Sequence, residues 1–251
     1  MKLRVFKTAE EAAHATAAAV VAQLARKPAS VLGLPTGRTT LAVYDELARL
    51  HEAGDADFSQ AHTFNLDEFV GLPSNDTRSY CAFMQKHLFT RINLPRGHIH
   101  FLNGGARDHA AECDRFEHEI AALGGMDLLL LGIGSNAHIG FNEPAHALHA
   151  RCHKTRLALA SRRANAALFG GRLDRVPREA LTMGIGTMLD ARTIVLLATG
   201  REKSRAVSSM FEARISTDRP ASVLQLHRSV EVILDLPAAE KLPQSGFDAP
   251  T

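Results

Sequence analysis

Short β-branched and leucine-rich runs alternate along this chain with longer stretches whose apolar residues recur at helical spacing. Leu3 to Phe6 reads as a strand, and the alanine-rich segment from Ala9 to Ala25 as the helix after it. The alternation returns at Ser30 to Leu34 before Thr39 to Leu50, at His62 to Leu66, and at Met126 to Ile133. It returns again at Thr193 to Leu197 before Arg201 to Glu212, and at Glu231 to Leu234. The expected class is therefore α/β, with a Rossmann-like, mostly parallel sheet and helices on both faces. Leu128 to Leu131 form an unbroken apolar run, as a central strand buried on both faces requires. Open parallel sheets hold ligands beyond the carboxyl ends of their strands, so chemistry is expected in the loops after Leu34, Leu66, Ile133 and Ala198.

No repeat, low-complexity tract or linker divides the sequence, so residues 1–236 are expected to form a single domain. The poorly patterned stretch 237–251, with Pro237, Pro243 and Pro250, is expected to be a loosely ordered C-terminal tail. A length of 251 residues, 45% of them hydrophobic, suits one large core. Lys and Arg number 29 against 27 Asp and Glu, a balance that points to neither nucleic acid nor an anionic membrane as partner. Any anion must then be bound locally. The three cysteines, Cys81, Cys113 and Cys152, show no CxxC spacing and read as packing residues of a protein in a reducing cytoplasm. No apolar run has the length of a secretory core or a membrane span.

Each expected loop carries unusual residues. In Thr36-Gly37-Arg38-Thr39, a strand ends and a helix opens, where free N–H groups and the positive helix end favour a phosphate. The plain alternative is an ordinary turn with Thr39 as N-cap. Asp67 and Glu68 place adjacent carboxylates after a strand, where only one readily faces a cleft; capping of the next helix is the alternative. The loop 132–144 brings Asn136, His138 and Glu143 together between glycines, a titratable imidazole beside a carboxylate. Lys203, after the strand ending near Ala198, supplies a point charge for a phosphate or is a solvated helix-start lysine. The remaining histidines show no metal-ligand spacing, and no metal is expected.

Taken in order, LGLPTGRTT, TFNLDEFVGLPSNDTRSYCAFM, LGIGSNAHIGFNEP, ALTMGIGTMLDA and PASVLQLH resemble the glucosamine-6-phosphate deaminase/isomerase family from about Leu32 to about Asp235. HIGFNEP is the discriminating element, since the related 6-phosphogluconolactonases share the fold but continue differently after their Gly-His. The resemblance implies a cytoplasmic enzyme that converts glucosamine 6-phosphate and water to fructose 6-phosphate and ammonia, without metal or organic cofactor. It implies that Asp67 moves a proton between C2 and C1 of the open-chain sugar, that His138 assists ring opening, and that Glu143 orients it. Thr36, Gly37, Arg38, Thr39 and Lys203 are implied to hold the 6-phosphate.

Three departures from the family pattern stand out. Asn136 replaces the aspartate of longer members and cannot stabilise an imidazolium by charge. Ala167 stands where members commonly have a phosphate-binding arginine, and Arg38 is expected to supply that charge instead. The basic residues of the allosteric site of longer members are not clearly reproduced over His149 to Leu157, so a monomer or small homo-oligomer with little allosteric activation is expected. A galactosamine-6-phosphate deaminase giving tagatose 6-phosphate is the alternative within this chemistry. A non-catalytic sugar-phosphate sensor is the alternative outside it, disfavoured because no basic recognition helix precedes the first strand.

Overall fold

The computed structural model describes residues 1–73 and 75–243. In chain order they form β1 (Lys2–Phe6), α1 (Ala9–Arg26), β2 (Val31–Leu34), α2 (Arg38–Glu52), β3 (His62–Asn65), β4 (Asp67–Phe69), α3 (Tyr80–His87), β5 (Ile99–His100) and α4 (His109–Ala122). The second half continues with β6 (Leu128–Gly132), β7 (His153–Arg156), α5 (Leu159–Asn165), β8 (Glu179–Thr182), α6 (Ile185–Leu189), β9 (Thr193–Ala198), α7 (Ser204–Met210), β10 (Val230–Asp235) and α8 (Leu236–Ala239).

A seven-stranded sheet runs β1-β10-β9-β6-β2-β3-β5, and every neighbouring pair in it is parallel. The leucine run of β6 sits at its centre and feeds both faces. Leu128 and Leu130 pack with Val43 and Leu47 of α2 and Val20 of α1, whereas Leu129 and Leu131 pack with Phe116 and Ile120 of α4 and Val207 and Met210 of α7. Alternation thus divides one apolar strand between two helical layers, which is why the sequence shows no polar alternation there.

From β2 the chain builds outward through β3 to β5, then returns to the other side of β2 and builds β6, β9 and β10. The order reverses between β2 and β6, and the crevice at that switch point lies between the loops 35–38 and 132–143.

A second sheet, β4-β8-β7, is antiparallel and was not legible in the pattern of apolar residues. Its strands have three or four residues, too few for a periodicity, and β7 is the charged HKTR. Asp67 and Glu68 therefore stand within a strand, not in a loop after one. The expected helix from Arg201 to Glu212 is also divided, into a 3-10 turn at Arg201–Lys203 and the shorter α7.

The expectation of a loose tail from residue 237 is corrected in its first part. Asp235 caps α8 by accepting from Ala238 N at 2.8 Å, and the side chains of Ala238 and Leu242 are buried in the core beneath α7. The rest of that segment, 244–251, lies outside the described residues.

Asp235 also accepts from Gly200 N at 3.0 Å, so one buried carboxylate holds both the turn that carries Lys203 and the C-terminal helix. Replacing Asp235 with Ala leaves both N–H groups unpaired. The expected cost is about 1–3 kcal/mol of stability, read as a lower urea midpoint.

Candidate active site

The loop after β6 is shaped around one imidazole. Gly134 lies against the His138 ring so closely that a Cβ there would stand 2.2 Å from its Cε1, and Ala137, just before His138, takes the left-handed φ of 65°. The ring is then oriented by Glu143, whose Oε2 lies 3.2 Å from Nδ1.

Glu143 gathers more than the histidine. Asn136 Nδ2 donates to Oε2 at 2.8 Å, and Oε1 accepts from the Ala158 N–H at 3.2 Å and from the Ser161 hydroxyl. Burial alone would raise this carboxyl, but the donors from His138, Ser161 and Asn136 outweigh it and hold the pKa down to about 2. Asn136 faces the carboxylate with its amide, while its Oδ1 accepts from the His138 N–H at 3.4 Å.

Asp67 reaches the same loop through β8. It pairs with Thr182, whose hydroxyl accepts from Phe141 N at 3.0 Å, while Asn142 Nδ2 donates to Met183 O at 2.9 Å. The two adjacent carboxylates divide as geometry demands. Glu68 accepts from the N–H groups of Phe69, Tyr80 and Cys81 at 2.9–3.0 Å and so caps α3. Asp67 is 7% exposed, and burial, with the charge of Glu68 beside it, raises its carboxyl to about 8. A carboxyl with that proton affinity can exchange a proton near neutral pH.

The loop after β2 opens α2 without a side-chain cap. Gly37, at φ 120°, occupies the N-cap position, so Thr39 lies inside the first turn and is not the cap. The first N–H groups of α2 are thereby left without a side-chain acceptor, beside the hydroxyls of Thr36 and Thr39. Lys203 approaches from the loop after β9. Its ammonium is pushed below the ordinary value, chiefly by burial, with the charge of Arg38 adding to the effect and that of Glu202 opposing it. Arg38, exposed in the first turn of α2, is near enough for its charge to act on Lys203, and neither makes a salt bridge among the described residues. Two neighbouring cations and a bare helix end can take a dianion.

Three residues of this site were not read from the sequence. The Tyr80 hydroxyl donates to Asn165 Oδ1 at 2.8 Å; Asn165 Nδ2 donates to Ser161 O at 2.9 Å, and Ser161 reaches Glu143. One chain of hydrogen bonds therefore runs from Tyr80, at the start of α3, to the carboxylate behind His138. No sequence spacing announces it, since Tyr80 and Asn165 stand 85 residues apart. Among the described residues, no group of three or more His, Cys, Asp or Glu side chains is arranged to hold a metal ion.

The sequence profile of the glucosamine-6-phosphate isomerases and 6-phosphogluconolactonases matches residues 6–233. The chain belongs to that family. A glucosamine-6-phosphate deaminase of Geobacillus sp. (strain WCH70) is 44% identical over 243 residues, covering 97% of this chain and 96% of the relative. Glucosamine-6-phosphate deaminase 2 of Bacillus subtilis (strain 168) is 43% identical over 248 residues, covering 98% and 100%. A solved monomeric glucosamine-6-phosphate deaminase superposes with a TM-score of 0.93 at 41% identity, covering 96% of this chain and 100% of that one. A 6-phosphogluconolactonase from Trypanosoma brucei superposes with a TM-score of 0.72 at 19% identity over 96% of this chain and 98% of that one, a likeness of fold alone. None of the described helices is long and apolar enough to cross a membrane.

Within this family frame, Ala167 is exposed on the short 3-10 turn after α5 and offers no charge. Arg38 stands in the first turn of α2, and Lys203 ends the 3-10 turn after β9.

The Asp67 carboxyl has a direct consequence for stability. It ionises near 3.8 when unfolded but near 8 when folded, so the folded chain must hold a proton that the unfolded chain releases. Its contribution is most favourable below pH 4 and is lost progressively as pH rises toward 8. Asp67→Asn removes that penalty. The variant is expected to be about 1–3 kcal/mol more stable than the parent at pH 7–8, with the gain vanishing near pH 4. Denaturant melts at the two pH values check it.

Proposed function

We propose that this chain is an amino-sugar-6-phosphate deaminase, converting glucosamine 6-phosphate and water to fructose 6-phosphate and ammonia. The observation that carries the reading is the divergence of two buried carboxyls at one sheet end, Asp67 pushed up to about 8 and Glu143 held down to about 2. One is a proton-transfer group and the other a fixed anion.

In this reading Asp67 removes the proton from C2 of the open-chain sugar and returns it to C1. The enolamine formed on the way becomes a ketimine, which water hydrolyses to the ketose with loss of ammonium. His138, oriented by Glu143, moves the proton that opens the pyranose ring. Asn136 and Ser161 act on Glu143, keeping it ionised and in place. Thr36, Gly37, Arg38, Thr39 and Lys203 bind the 6-phosphate, and that distant contact positions C1 and C2 over Asp67. The names of the relatives at 41–44% identity favour glucosamine over its C4 epimer. The monomeric state of the solved deaminase supports a monomer or small homo-oligomer here, in a cytoplasmic setting.

Ammonia release from glucosamine 6-phosphate and galactosamine 6-phosphate, measured in parallel, tests the reading. Turnover is expected with the first, with kcat/KM rising through about pH 8 as Asp67 ionises, and no turnover is expected in Asp67→Asn. Faster turnover of the second sugar reassigns the epimer; binding of either without turnover by the parent makes the protein a sensor. A separate expectation concerns the phosphate. Arg38→Ala is expected to raise KM by about tenfold or more with a smaller change in kcat, the signature of a lost positioning charge. An unchanged KM would return Arg38 to the role of an ordinary surface residue.

A further inference from the structure

Two of the three cysteines, which sequence spacing gave no reason to associate, meet in the fold. Cys113 projects from α4 and is 4% exposed, Cys152 immediately precedes β7 and is half-buried, and their Sγ atoms lie 2.9 Å apart. Two sulfurs at that separation need only a small approach to reach the roughly 2.0 Å of a covalent bond. The contact is fixed from several sides. Glu117, one turn beyond Cys113 on α4, accepts from Cys152 N at 2.6 Å and from the Thr187 hydroxyl of α6 at 2.6 Å. Arg151 pairs with Asp190 at 2.7 Å. The Ile185 and Thr187 N–H groups bind the carbonyls of His149 and Ala150 at 2.8 and 3.0 Å. The strap that leads from Glu143 to β7 is thereby laid against α4 with its cysteine facing Cys113.

We infer that Cys113 and Cys152 form a redox modification site, a dithiol that a small hydroperoxide closes to a disulfide. The site is independent of the deaminase reading. Glu117 and Arg151, which hold or adjoin Cys152, both line a cavity of about 120 Å³. The Cys152 thiol donates to Cys113 and draws the Cys113 pKa below its ordinary value, favouring thiolate there. That thiolate attacks a peroxide oxygen; the O–O bond breaks, Cys113 becomes a sulfenic acid and the first water or alcohol leaves. Cys152 sulfur then displaces the sulfenic oxygen, the S–S bond forms, and a second water carries off the oxygen. Two electrons pass from the thiols to the peroxide and both thiol protons end in the products.

Hydrogen peroxide treatment of the full chain, followed by thiol titration under denaturing conditions and peptide mapping, is the test. Titratable thiols are expected to fall from three to one, with Cys113 and Cys152 recovered in one cross-linked peptide and all thiols restored by dithiothreitol. The oxidised protein, with a bond spanning 39 positions, is expected to melt about 5–10 °C higher. Cys152→Ser and Cys113→Ala should each abolish the cross-link and the shift, and Cys81→Ser should change neither. Three thiols remaining after peroxide, or an equal reversible loss of two thiols in Cys152→Ser, would overturn the inference.

Discussion

A carboxylate taken out of water has to be surrounded by donors, and the arrangement of the candidate site follows from how Glu143 meets that demand. Its four donors come from Asn136, His138, Ala158 and Ser161, so the β6 loop, the residue before α5 and α5 itself are drawn to one point. Removing any of them would leave charge poorly solvated in a buried place. The same set leaves the carboxylate no rotational freedom, and the imidazole it faces is correspondingly fixed. Gly134 completes the arrangement from the opposite side, because only hydrogen fits where the ring lies.

Asp67 is the counterexample within the candidate site. Among the described residues it has no comparable donors, while its neighbour Glu68 takes the Phe69 N–H and two N–H groups at the start of α3. Identical functional groups therefore differ by several orders of magnitude in proton affinity, because donors and the charge of His138 surround Glu143 while burial and the charge of Glu68 act on Asp67. Proton transfer needs a group left unsatisfied, and a fold can maintain one only if the surroundings are otherwise well bonded.

Much of this was legible in the sequence, for identifiable reasons. The leucines of β6 revealed a strand buried on both faces, and the residues after β2, β6 and β9 fell at the carboxyl ends where parallel sheets keep their ligands. The doublet Asp67-Glu68 showed only that one carboxylate could face a cleft, with capping as the alternative; the resemblance pointed to Asp67, and α3 supplies a physical reason, since its N–H groups take Glu68. Tyr80, Asn165 and Ser161 were invisible because their roles come from contacts between segments distant in sequence. The antiparallel sheet was missed because three-residue strands carry no period, and the start of the tail was misread because Leu242 is a single apolar residue in a polar stretch. Cys113 and Cys152 belong to the same class of feature, ordinary in sequence and adjacent only in space.

The hydrogen-bond chain from Tyr80, whose hydroxyl lies near Thr36, through Asn165 to Ser161 implies that the two ends of the cleft are not separate modules. Exchanging Tyr80 for phenylalanine would change no charge and little volume, yet would cut the link. Drift in the loop after β2 and drift in the loop after β6 are thus mechanically joined. A lineage shifting this protein toward a ligand of different length would have to revise both loops together, and the aromatic ring between them sets the span over which such revision is tolerated.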